Sequence, residues 1–370
     1  MTRSRDPGRL PGPSSRRRRP SASRAGSPSS LAPAGPEPRL PVRLLALDID
    51  GTLVGDDMVV RDRTLEAVRA AVRRGALVSL ATGRMATSAR LFADALGLRE
   101  PIVAYQGALI RAMPPVGATG RDGRRAIGRL LVHRPLPADV AREALTWCSE
   151  RGLEPHVNHL ERFIVRADDP RADDYSTFLG ARAELVDDLV AAIRHPVTKV
   201  IAMGEAGVPA AVLGDARAVF AGRAEVTLSH PRFIEFIAPG VSKGRAVRWL
   251  ARRGHVPLEQ ALAIGDQWND LEMIAAVGHG AAMPSAPAEV RLAARYVASP
   301  LEAEGSAILI EDLVLAGPRA AARNLERWLE AGRAARASAA GELETATREV
   351  TTVTATRVAT GVAPGGGVGR

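Results

Sequence analysis

The chain of 370 residues holds one cysteine, Cys148, which excludes an internal disulfide framework and a cysteine-rich zinc site. A lone thiol also fits a reducing, cytoplasmic setting. No uninterrupted apolar run approaches the roughly 18 residues that a membrane-spanning helix needs, so a helical membrane protein is excluded. Lysine is nearly missing too. Of the 50 basic residues only Lys199 and Lys243 are lysine. Together with abundant alanine, glycine and proline, this resembles the coding bias of a GC-rich genome. A lysine kept against that bias invites a chemical reason, because a compact ammonium and a planar guanidinium are not interchangeable at an anion site.

What is present is globular: 46% hydrophobic and 25% charged residues, enough for two or three domains. The net charge of +9 is unevenly spread. Residues 1–43 carry +8 and residues 318–370 carry +3, which leaves −2 for residues 44–317. A nearly neutral body argues against a broad nucleic-acid footprint on it. Residues 1–41 are rich in Pro, Ser, Gly and Arg without apolar periodicity and are expected to be disordered. The Arg16–Arg19 run is not a twin-arginine export signal, because no apolar segment follows it.

Regular structure begins at Val42–Leu47, an apolar run of the kind that forms a buried parallel strand. A helix, the strand Ala76–Ala81, a helix near 86–96 and the strand Ile102–Tyr105 follow. Strands alternating with helices predict a parallel sheet. From 129 to 230, strand-like runs lack polar residues at their ends, which marks an inserted cap domain. The alternation resumes with Phe233–Ile237, a helix over 243–253 and the strand Ala261–Ile264. The expected division is therefore a core over 42–128 and 231–317, a cap over 129–230, and a helix near 318–337 followed by a disordered tail.

Three polar clusters sit just after predicted strands: Asp48/Asp50, Thr82/Gly83/Arg84 and Asp266/Asn269/Asp270. In an open parallel sheet the strand C-terminal ends share one edge, and ligands bind there. Each cluster alone reads better as a turn or helix cap, and only the set in this order outweighs that reading. Together, several acids and one amide form a hard, oxygen-rich site suited to magnesium, and the absence of histidine or cysteine ligands argues against zinc. Thr82-Gly83-Arg84 offers a hydroxyl, backbone N–H groups and a guanidinium to a phosphate. Lys243 adds a compact positive charge able to balance aspartate and phosphate.

The segments LALDIDGTL, ATGR, VSKG and GDQWND resemble, in order, the four motifs of the haloacid dehalogenase superfamily. The closest resemblance is to its Cof-like sugar-phosphatase branch. It covers residues 42–317 and implies a Rossmann-like α/β core of parallel strands with an inserted α/β cap of the C2 type. It also implies a magnesium-dependent phosphatase acting on a small phosphorylated metabolite through an aspartyl-phosphate. In that scheme Asp48 is the nucleophile and Asp50 the general acid and base. Asp48, the Asp50 carbonyl and Asp266 hold Mg2+. Thr82, Gly83, Lys243 and Asn269 hold the phosphoryl oxygens, Arg84 contacts substrate or phosphate, and Asp270 orients Lys243 or a metal-bound water.

Two segments depart from many relatives: Gln106-Gly107 stands for Asn-Gly, and Met283-Pro284-Ser285-Ala286 for Met-Gly-Asn-Ala. In the cap, His156, Asn158 and His159 read best as a solvated polar loop, and Lys199 as a replaceable strand residue. Phosphotransfer, as in phosphomutase-like relatives, is the competing chemistry. A regulatory nucleic-acid-binding protein using the basic N-terminus is a further, weaker reading. Both tails are expected to be dispensable, so residues 42–337 should suffice for turnover.

Overall fold

The computed structural model describes residues 42–360 apart from 116, 120–125, 170, 174–175 and 177–181, with side chains as far as 345. The expected disorder of 1–41 and of 361–370 lies outside the described residues. β1 (Leu44–Leu47) is buried at every position, as an all-apolar strand between two neighbours should be. It pairs in parallel with β2 (Leu77–Leu80) on one side and β12 (Ala261–Gly265) on the other. β13 (His279–Ala282) and β14 (Tyr296–Val297) continue the sheet beyond β12, also in parallel. The helix Asp62–Arg73 connects β1 to β2, the helix Ala86–Leu96 follows β2, and the helix Lys243–Arg253 precedes β12. The α/β class and the parallel core sheet are as the sequence predicts.

A bridge from Ala81 to Val103 carries the sheet toward β3 (Ile102–Ala104), β4 (Leu109–Arg111) and β5 (Leu130–His133), which form an antiparallel trio. The run near 129–132, expected to open the cap, therefore belongs to this trio, because its partner is β4.

The cap is a six-stranded mixed sheet. It comprises β6 (Glu154–His159), β7 (Arg162–Arg166), β8 (Ala183–Val186), β9 (Lys199–Met203), β10 (Glu225–His230) and β11 (Phe233–Ile237), in the order β10-β11-β9-β6-β7-β8. Helices Ala138–Ser149 and Val208–Val219 contribute to its apolar core with Val157, Val200, Ile234 and Phe236. The sequence pattern puts β11 in the core sheet; instead it pairs antiparallel with both β9 and β10. A short buried run such as Phe-Ile-Glu-Phe-Ile suits either sheet, and only its hydrogen-bond partners decide.

The C-terminal helix runs over Pro318–Thr360, well past the expected end near 337. Trp328 joins the core cluster and donates its indole N–H to Asp312 at 2.9 Å. Ala339 is fully buried, and Arg291 donates to Glu342. A cut after 337 thus removes packed residues, which corrects the boundary at which the tail becomes dispensable. Deleting residues 318–370 should cost at least about 3 kcal/mol in urea unfolding, the usual scale for losing a buried tryptophan. Deleting 346–370 should leave the midpoint unchanged.

One buried histidine gives the fold a pH signature. His279 on β13 shares a 2.9 Å hydrogen bond with the Tyr296 hydroxyl. Burial, with the Arg295 charge adding, pushes it from 6.5 down to about 4. The unfolded chain therefore binds more protons than the native one between those values, and stability falls as pH drops through that window. His279→Gln lacks this loss. Its melting temperature relative to wild type should rise steadily from pH 6.5 to pH 4; a constant difference would show that His279 is not held neutral.

Candidate active site

Asp48 follows β1 directly, and its N–H donates to Ile264 of β12 at 3.0 Å. Asp266 follows β12, so the two carboxylates leave adjacent strand ends. Thr82 lies one residue past Ala81, whose N–H donates to Leu47 at 2.9 Å. The three clusters therefore meet at one sheet edge because β2, β1 and β12 are parallel neighbours. β1 ends at Leu47, so Asp48 and Asp50 sit in the turn that follows it. Gly51 makes that turn possible: it sits at φ +75°, and a Cβ there would lie 2.2 Å from Asp266 Oδ2.

Lys243 is the first residue of the helix Lys243–Arg253, whose Ser242 cap accepts the Arg245 N–H at 3.1 Å. The ammonium is fully buried. It donates to Asp48 Oδ1 at 2.7 Å and to Asp270 Oδ1 at 2.6 Å. The other oxygen of Asp270 accepts the N–H groups of Asp266 and Gln267, at 3.0 and 3.1 Å. Asp270 thus closes the turn that carries Asp266 and holds Lys243 against Asp48.

Two residues have sequence neighbours in the motifs but gave no signal of their own. Thr52 donates to Asp266 Oδ1 at 3.3 Å, and Gln267 Nε2 to Oδ2 at 3.2 Å. Gln106 is buried and accepts from Asn269 Nδ2 at 2.9 Å. Its φ of +59° follows +50° at Tyr105, so the Gln106-Gly107 departure occupies a left-handed turn at the crevice wall.

Arg84, expected to contact substrate or phosphate, pairs with Asp50 within the protein. Its Nε donates to Asp50 Oδ2 at 2.7 Å, and its Nη2 donates to Oδ1. Its side chain is 3% exposed, whereas that of Asp50 is 47% exposed. Arg84 therefore grips Asp50 from the protein side and leaves part of that carboxylate open to the crevice. His156 and Asn158 are also misread by the sequence as a solvated loop. Both are buried on β6, and they share a face of the cap sheet with Lys199 and Glu235.

The charges explain why this cluster is costly as it stands. Burial pushes the Asp48 carboxyl well above its usual range, with the Asp270 charge adding and Lys243 opposing. Burial and Asp270 likewise push Asp266 up to about 7. Burial alone would lower Lys243, but Asp270 and Asp48 hold it above its ordinary value. One ammonium stands among three buried carboxylates, Asp48, Asp266 and Asp270, and one oxygen from each lies within 4.8 Å of the others. Such a surplus of oxygen donors and negative charge fits a hard divalent cation.

A parallel α/β core thus gathers an acid pair after its first strand, a buried lysine and a third acid after a later strand at one sheet edge. Residues 45–310 match the family of haloacid dehalogenase-like hydrolases, and the chain belongs to it, as a Cof-like phosphoric monoester hydrolase. An HMP-PP phosphatase of Serratia proteamaculans is 30% identical over 66% of this chain and 84% of its own length. A 5-amino-6-(5-phospho-D-ribitylamino)uracil phosphatase of Bacillus subtilis is 27% identical over 73% and 96%. In fold, a putative HAD/COF-like hydrolase of Plasmodium vivax superposes with a TM-score of 0.64 at 20% identity, covering 74% of this chain and 95% of its own. Among the described residues no helix is long and apolar enough to cross a membrane.

Proposed function

We propose that the protein is a magnesium-dependent phosphatase that hydrolyses small phosphorylated metabolites, sugar phosphates among them, in the cytoplasm. The observation that carries the proposal is Lys243 clamped between Asp48 and Asp270, beside Asp266 and the Thr82–Arg84 turn. Both curated relatives described above are named for small phosphorylated substrates, which supports the substrate class. The cap face that carries His156 and Asn158 is polar, which suits a polar leaving group better than a lipid.

In this reading a carboxylate oxygen of Asp48 attacks phosphorus, the bond to the leaving oxygen breaks, and an aspartyl-phosphate forms. Asp50 gives its proton to the leaving alkoxide. It then takes one from the water that attacks the aspartyl-phosphate and releases inorganic phosphate. Arg84 holds Asp50 in place for both transfers. Thr82, the Gly83 N–H, Lys243 and Asn269 receive the phosphoryl oxygens. Asp48, the Asp50 carbonyl and Asp266 would hold magnesium, which offsets the repulsion between carboxylate and phosphoryl oxygens when bound.

The test is phosphate release with magnesium across sugar phosphates, nucleotides and cofactor phosphates. Release without any bisphosphate activator supports hydrolysis. Turnover that requires an activator and returns an isomerised sugar phosphate would place the protein among phosphotransferases instead. Chelation with EDTA should abolish turnover, and added magnesium should restore it.

A further inference from the structure

Lys199 belongs to the cap, yet its ammonium does not stay there. Nζ donates to the Gly83 carbonyl at 3.1 Å, joining β9 to the turn that follows β2. It also pairs with Glu235 Oε2 at 2.9 Å and lies 5.6 Å from the Tyr105 ring centre. Both charged side chains are almost sealed from water, at 5% and 2% exposure. Ser229 donates to the other oxygen of Glu235, which holds that carboxylate in place. The contact is close enough that a Cβ at Gly83 would lie 2.5 Å from Gln106 Nε2 and 3.5 Å from Glu235 Oε1.

The Gly83 carbonyl shares its peptide group with the Arg84 N–H, and that N–H donates to Thr82 Oγ1 at 3.1 Å. A cation at one end of a peptide dipole strengthens the donor at the other, because hydrogen-bonded groups in a low-dielectric site polarise one another. With one lone pair of Thr82 Oγ1 occupied, its own proton is turned toward another acceptor. Among the described residues no protein group accepts that proton.

We infer that Lys199 and Glu235 form a positioning pair that ties the cap to the Thr82–Gly83 turn and fixes the Thr82 hydroxyl as a donor to the phosphoryl group. The chain of contacts runs from Glu235 to Lys199, through the Gly83–Arg84 peptide, to the Thr82 hydroxyl. It rests on the proposed role of residues 82–84 in holding phosphate. It also gives the second rare lysine a reason: the space between Glu235, the Gly83 carbonyl and the Tyr105 ring suits a compact ammonium, not a wide guanidinium. Lys199 acts through Thr82 and has no need to touch the leaving group.

The test uses Lys199→Met/Glu235→Gln, which removes both charges together, since a single replacement would strand a buried ion. The amide that replaces the Glu235 carboxylate can still accept from Ser229. Turnover is referred to the folded fraction from a circular-dichroism melt. On p-nitrophenyl phosphate and on acetyl phosphate, kcat should fall by the same factor, about tenfold or more. Inhibition by orthovanadate, which mimics the phosphoryl group in flight, should weaken in parallel. Wild-type kcat in the folded double variant overturns the inference, as does a loss confined to one leaving group or unchanged inhibition by vanadate. Asp48→Asn, run alongside, separates the two failures. An active double variant beside an inactive Asp48→Asn overturns this inference alone, whereas full turnover in Asp48→Asn overturns the phosphatase reading as well.

Discussion

Asp48→Asn is expected to lower kcat on the order of a thousandfold or more while leaving the fold intact, on the scale seen when a nucleophile is removed. The amide keeps the shape of the carboxylate and can still accept from Lys243, but it cannot attack phosphorus. Its effect on stability has a definite sign. Burial and the charge on Asp270 already disfavour ionised Asp48, so in metal-free protein the neutral amide removes an unfavourable charge. The melting temperature at pH 7 without metal should therefore match or exceed that of wild type. A variant that is inactive because it is unfolded would contradict the assignment, as would one that turns over normally.

Lys243→Arg is expected to be nearly as damaging although the charge is kept. The ammonium has no exposed surface and sits between two carboxylates at 2.7 and 2.6 Å. Its helix cannot retreat to make room: a Cβ on the next residue, Gly244, would lie 2.6 Å from Glu272 Cγ. A wider, planar guanidinium must displace Asp48 or Asp270, and misplacing a reacting group by about 1 Å can cost about a hundredfold. A drop in kcat of that size is the expected result, measured on p-nitrophenyl phosphate with magnesium. Near-normal turnover would remove Lys243 from the phosphoryl site. Lys199→Arg, which the sequence offers as a silent reference, is not silent here, because Lys199 is itself buried in an ion pair that reaches the Gly83 turn.

The contrast between the two lysines shows what the sequence could carry. Lys243 stands beside Ser242, a helix cap, and opens a helix after a strand, so its approach to the sheet edge follows from local order. Asp48, Thr82 and Asp266 are legible for the same reason: each ends a buried strand, and parallel strands gather their ends at one edge. Lys199 carries no such mark. Its partner Gly83 is 116 residues away, and nothing in the pattern of β9 distinguishes a lysine on the outer face from one reaching across to another domain.

The same limit applies to the grip of Arg84 on Asp50, a contact across 34 residues between two turns whose relative placement depends on how β1 and β2 pair. The sequence places β11 in the wrong sheet because five alternating or apolar residues define a strand but not its neighbours. It also ends the long C-terminal helix too early, at 337, because the Ala, Thr and Arg composition there gives little apolar periodicity, although Trp328 and Ala339 do pack. Meetings that follow from parallel strand order are readable in the chain, and contacts that depend on how separate turns and sheets come together are not.

The covalent step at Asp48 is tested most directly by trapping it. Wild-type protein turning over p-nitrophenyl phosphate with magnesium is quenched in acid within milliseconds and reduced with borohydride, which converts an aspartyl-phosphate to homoserine. Peptide mass spectrometry should then find homoserine at position 48 and nowhere else, and none in Asp48→Asn. Homoserine at another aspartate, or a quenched enzyme in steady turnover that carries none at position 48, would contradict the aspartyl-phosphate at Asp48.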